Sequence, residues 1–214
     1  MTETEWLSCA YPEAMLDFLR EIGRATDRKL RLFSAACCRA VRSSQNMLPG
    51  TAVAVAERYA DGLARDEDLE FERRGAPFPN EYAEWVVGLS AFNGARQAVD
   101  WLTSARDLMK IDPDALRHVP IPLDATVNRS VLLLRDIFGN PFRPSPTLDS
   151  SWRTAAVLSV AHGMYESRSF DHMPALADAL EAVGCTELDI LEHCRSGGEH
   201  VRGCWVVDLV LGRE

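Results

Sequence analysis

The chain has 214 residues, of which 47% are hydrophobic and 26% charged, and carries a formal net charge of −9. That composition excludes general disorder, and the acidic balance argues against a dedicated nucleic-acid coat. There is no run of about 18 apolar residues, so no spanning helix is expected. The acidic opening Met1-Thr2-Glu3-Thr4-Glu5 predicts no secretory leader.

Helical periodicity dominates the chain. Tyr11-Pro12 opens a first amphipathic helix through Met15, Leu16, Leu19 and Ile22, and Gly23 stops it. A second helix is predicted over 27–42, with Leu30, Phe33, Cys37 and Val41 as its stripe and Leu32 and Ala36 widening it. A loop at 43–46 and at Pro49-Gly50 precedes a third helix over 51–64. The charged run 66–74 reads as a solvated helical turn or extension. After the breaker 75–80 the pattern predicts one long helix over 81–110, in which Gly88 and Gly94 lower the propensity. Prolines 113, 120 and 122 mark 111–122 as a connection, and a helix over 123–138 ends at Gly139-Asn140-Pro141. Asp149 or Ser150 caps a helix reaching Tyr165. Ser169 or Asp171 opens one that ends at Gly184. Thr186 and Asp189 resemble a capping box for 186–195. Gly197-Gly198 breaks the pattern, and 200–211 reads as helix, although its Trp and Val content also suits a buried strand.

Six cysteines occur, at 9, 37, 38, 185, 194 and 204, with no CxxC pair. The chain is far larger than small disulfide scaffolds, so these read as reduced thiols, mostly small core residues.

The segments Leu134-Arg135-Asp136-Ile137-Phe138-Gly139-Asn140-Pro141-Phe142-Arg143-Pro144, Ile190-Leu191-Glu192-His193-Cys194-Arg195 and His200-Val201-Arg202-Gly203-Cys204-Trp205-Val206-Val207-Asp208 are the most distinctive. With the opening 1–7 and the stretch 27–33, they resemble a large paralogous family of uncharacterised planctomycete bacterial proteins. The likeness covers both ends of the chain. It implies a bacterial cytoplasmic setting and brings no established activity, cofactor or catalytic residue.

Three groups could carry chemistry. His193, Cys194, His200 and Cys204 could supply the four N and S ligands of a tetrahedral structural zinc, with Cys185 as an alternate. His200 and Cys204 are i,i+4 and would share one helix face, and Ser196-Gly197-Gly198 lets the chain return. Against this, adjacent His-Cys ligands point to different faces of a helix. Core thiols and helix-end histidines explain the same residues. Second, Arg135, Asn140 and Arg143, joined by Arg195 and Arg202, could bind a phosphate or carboxylate. Phenylalanine anchors and local ion pairs are the structural alternative. Third, Arg28, Lys29, Arg31, Arg39 and Arg42 form a basic run, which reads either as a partner surface or as a helix face paired with neighbouring acids. No P-loop, Gly-x-Ser-x-Gly or His-Glu-x-x-His motif occurs. His162 and Glu166, i,i+4, are compatible with acid–base work and equally with a plain helix pair.

The sequence therefore predicts an all-α, compact multi-helix bundle, either one domain or two packed lobes over 1–110 and 123–214. The favoured function is a non-catalytic helical binding or scaffold module that contacts another protein, away from membrane and nucleic acid. The alternative is a small metalloprotein with a structural zinc, or a thiolate enzyme, at His193, Cys194, His200 and Cys204.

Overall fold

The computed structural model describes residues 1–42, 50–75, 87–88, 90–100, 123–143 and 147–213. Among these the regular structure is helical, with no strand, so the all-α expectation holds. No described helix is long and apolar enough to cross a membrane. The chain divides into two compact units, Met1–Leu134 and Arg135–Glu214. The predicted loop at 43–46 and the predicted connection at 111–122 lie outside the described residues.

The first unit begins with α1 (Glu3–Ser8), closed by a reciprocal capping box in which Thr2 Oγ1 accepts from Glu5 N–H and Glu5 Oε2 accepts from Thr2 N–H. Its Trp6 is fully buried. Pro12 starts α2 (Pro12–Glu21), which buries Met15, Leu16 and Leu19. Helix α3 (Asp27–Arg42) is buried without interruption from Leu30 to Cys38, wider than the predicted stripe. All-round burial marks it as the central helix of this unit. Helix α4 (Gly50–Ala60) packs on α3 through Ala52, Val53 and Ala56, whose small side chains permit close approach. It ends at Ala60 rather than at the predicted residue 64. Leu63 N–H bonds to Arg58 O at 2.7 Å and Gly62 N–H to Tyr59 O at 2.9 Å, a Schellman closure on Gly62. The charged run forms a true helix, α5 (Asp66–Gly75).

The predicted long helix over 81–110 is interrupted in its described part. Gly88 and Ser90 are non-helical, and α6 covers 91–100. Ser90 Oγ accepts from Asn93 N–H at 3.2 Å, so the break is a new helix start that the glycine and serine foreshadow.

Helix α7 (Leu123–Phe138) matches its predicted span, and its last four residues belong to the second unit. A 3-10 turn (Ser150–Trp152) capped by Asp149 then precedes α8 (Ala155–Ser167), capped by Thr154. The predicted Asp149 cap thus serves the turn and not the α-helix. Ser169 stands at the N-cap position of a 3-10 turn (Phe170–His172), without a side-chain cap bond, ahead of α9 (Met173–Ala182). Helix α10 (Leu188–Arg195) starts after Glu187 without a side-chain cap bond, which corrects the predicted Thr186 box. Helix α11 (Trp205–Leu211) is shorter than the predicted 200–211. The core of this unit is lined by Val157, Leu176, Leu180, Ile190, Val206 and Val210, all fully buried. Each contributes about 1.5–3 kcal/mol relative to exposure.

A candidate metal centre

Helices α7 and α10 and the turn before α11 bring four unlike side chains together in the second unit. Asp136 lies in the last turn of α7, where its carboxylate shares the buried side with Leu133 and Ile137. His193 lies in the last turn of α10. His200 precedes, and Cys204 ends, a four-residue turn over 201–204 in which Cys204 N–H bonds to Val201 O at 2.9 Å. Gly203 takes φ +96° at its third position, as a type II turn requires. This turn sets Cys204 Sγ 3.9 Å from His200 Nδ1. The two residues do converge, but not as i,i+4 neighbours on a helix face.

One donor atom from each of Asp136, His193, His200 and Cys204 lies within 4.8 Å of all the others. His193 Nε2 is 3.2 Å from both Asp136 Oδ1 and Cys204 Sγ. His200 Nδ1 is 2.6 Å from the same carboxylate oxygen. The edges of a tetrahedral zinc site are about 3.3 Å between N and O and about 3.6 Å between N and S. The cluster brackets those values: the His200–Asp136 and His193–Cys204 contacts would have to open, and the 3.9 Å His200–Cys204 separation would have to close. Side-chain exposure is 4% for Asp136, 5% for His200 and 18% for His193, and Cys204 is fully buried.

The protons of this cluster can be placed from its partners. Burial alone would raise the Asp136 pKa, but hydrogen bonds from His193 and His200 outweigh it and hold the group below its ordinary value, so it is a carboxylate. Its Oδ2 accepts from Val201 N–H at 3.0 Å. His200 therefore donates Nδ1–H to Asp136, which leaves Nε2 as a bare lone pair. That atom is buried and has no hydrogen-bond partner among the described residues. Trp205 Nε1–H donates to His193 Nδ1 at 3.1 Å, which places the proton of a neutral His193 on Nε2. Burial, with the Asp136 charge beside it, pushes the Cys204 thiol well above its usual range. A buried protonated thiol is a poor nucleophile. Zinc-class ions displace that proton directly.

Cys194 lies outside the cluster. It is a core residue whose thiol burial pushes up to about 12, and Asp136 provides the carboxylate corner instead. Sequence reasoning quoted Asp136 only within the distinctive segment Leu134–Pro144. The available signal was a carboxylate on the buried side of α7.

Four of the predicted anion-site residues meet other groups of the chain. Arg143 pairs with Asp189. Arg195 pairs with Glu181 at 2.6 Å and Asp178 at 2.8 Å. Arg202 lies over the Tyr165 ring at 4.4 Å, and Asn140 Oδ1 accepts from Phe142 N–H in a local turn. Arg135 is half-buried at the end of α7. The basic run of α3 is similarly committed. Arg28 pairs with Asp61, Arg39 with Glu57, and Arg31 is buried with its guanidinium on Gly88 O. The side chain of Arg42 lies outside the described set. His162 and Glu166 are exposed on α8. Comparison with known proteins adds no identity: no family model, no curated protein and no solved structure matches the chain.

Proposed function

We propose that this chain is a helical module whose C-terminal unit is organised by one zinc-class metal ion, bound by Asp136, His193, His200 and Cys204. The observation that carries the reading is the convergence of one carboxylate, two imidazoles and one thiol to within 4.8 Å in a buried setting. Two imidazole nitrogens with one sulfur and one oxygen suit zinc and its neighbours better than magnesium or calcium. The role is structural. All four positions are filled by protein, whereas a catalytic zinc keeps one position open to water or substrate. We read the groups of the cluster as ligands rather than as a nucleophile and its base, and the module as one for binding or scaffolding.

Metal analysis of the purified full chain tests this. One zinc per chain is expected, retained through gel filtration, lost with Cys204→Ser, and stripped by a chelator with a lowered melting temperature. Zinc-reconstituted protein that holds no stoichiometric metal, and melts identically with and without chelator, would overturn it.

A further inference from the structure

A histidine that ligates through Nε2 must offer that nitrogen bare, and it ordinarily donates Nδ1–H to a carbonyl or carboxylate. At His193 the arrangement is reversed. Nδ1 accepts a hydrogen bond from the Trp205 indole at 3.1 Å, so the ring proton sits on Nε2, aimed at Asp136 and Cys204. The indole is held there by its seating. Trp205 is the first residue of α11, and its ring lies against Gly139, where an added Cβ would fall 3.3 Å from the indole Cγ. The indole and imidazole centroids are 5.1 Å apart.

We propose that Trp205 sets the metal affinity of this centre by stabilising the His193 tautomer that cannot bind, so that metal capture and the Trp205–His193 hydrogen bond are mutually exclusive. The inference rests on the metal reading above. The exchange balances. At His193 the Nε2–H bond breaks and a metal–Nε2 bond forms, while Nδ1 gains a proton; at His200 the Nδ1–H bond breaks and a metal–Nδ1 bond forms, while the buried Nε2 gains a proton, so both rings stay neutral. The Cys204 thiol gives its proton to water and binds as thiolate. The indole N–H, now facing an N–H, must turn away, so occupancy is communicated to the Gly139 loop and to the start of α11. Trp205 is a positioning residue in this scheme. A merely structural tryptophan would lower affinity when removed, whereas this one raises it.

The test is a cobalt(II) titration of the full chain, in competition with a chelator, for wild type and Trp205→Phe. It is paired with the indole N–H resonance in wild type that Trp205→Phe deletes. Trp205→Phe should bind about three- to tenfold more tightly, the weight of one neutral hydrogen bond removed from the competing state. In wild type the assigned indole resonance should move as cobalt, or diamagnetic zinc, saturates. Equal or weaker binding by a natively folded Trp205→Phe overturns the proposal, as does a zinc-saturated wild type whose indole signal stays in place. Where Trp205→Phe does not fold, the wild-type resonance, then assigned through its contact with His193, decides alone. If wild type takes up no cobalt at all, the metal reading itself falls and this inference with it.

Discussion

Asp136→Asn isolates the charge at the centre of the cluster, since the two side chains have nearly the same shape. Three donors converge on the carboxylate: His200 Nδ1–H at 2.6 Å, His193 Nε2–H at 3.2 Å and Val201 N–H at 3.0 Å. An amide has one acceptor oxygen. If that oxygen keeps both imidazoles, its NH2 faces the Val201 N–H. If it keeps Val201, both imidazoles lose their acceptor. Either orientation forfeits at least one hydrogen bond to a charged acceptor, about 1.5–3 kcal/mol, and buries an unsatisfied donor at about 1–3 kcal/mol more. The expected loss is about 3–5 kcal/mol in the metal-free protein. Urea unfolding of chelator-treated protein, followed by circular dichroism, measures it. Asp136→Ala should lose at least as much, because it strands all three donors. A metal-free Asp136→Asn within about 0.5 kcal/mol of wild type would refute the charge-centred account of this cluster, since surface substitutions alone fall in that range.

Three further outcomes follow from other contacts. Gly139→Ala forces a side chain onto a backbone at φ +68° and against the Trp205 ring; urea unfolding should register a loss of about 2–3 kcal/mol, and a neutral result would refute the seating argument. In the first unit, Glu57 is 3% exposed and takes two bonds from Arg39, at 2.7 and 2.9 Å. Arg39→Met should cost about 3 kcal/mol, and adding Glu57→Leu should recover part of it; a double variant less stable than the single would contradict a pair whose main cost is the stranded charge. Of the six thiols only Cys9 is not buried, so iodoacetamide at neutral pH should label one cysteine in the folded chain and all six in urea. Fast labelling of Cys38, Cys194 or Cys204, whose pKa values burial raises, would show the cores to be open.

Most of the helices were legible because their signals are local. Apolar residues every three to four positions, with prolines and glycines as punctuation, give α2, α3 and α7 almost residue for residue. The misreadings share a cause. At 186–189 a cap was inferred from residue types, but Thr186 does not bond the α10 start. At 200–204 apolar character was taken for helix, although Gly203 needs a backbone conformation that a helix does not offer. The site was legible to the same extent. His193, His200 and Cys204 stood out as residue types, and the chain reversal that brings α10 and the turn together was anticipated from Ser196-Gly197-Gly198. Asp136 could not be paired with them, because a separation of 64 residues to His200 leaves no periodic trace. Cys194 was included for adjacency to His193, and its burial in the core was the more elementary reading of a small apolar side chain.

The size of the second unit explains why a polar cluster belongs there. A unit of about 80 residues stands near the limit at which an apolar core alone supplies about 3–5 kcal/mol. Placing a carboxylate and two imidazoles in that core removes apolar packing and leaves the buried His200 Nε2 without a partner among the described residues, so the metal-free arrangement is a cost. A ligand that binds only the folded state offsets that cost, contributing about 4 kcal/mol when present at a thousandfold over its dissociation constant. That is comparable with the whole margin of such a core. Under the proposed reading, metal occupancy therefore adds to the stability of α8 to α11 without being needed to form them, and the metalloprotein and scaffold alternatives cease to compete. The ion fixes the inside of the unit, and the outer helix faces remain for whatever the module binds.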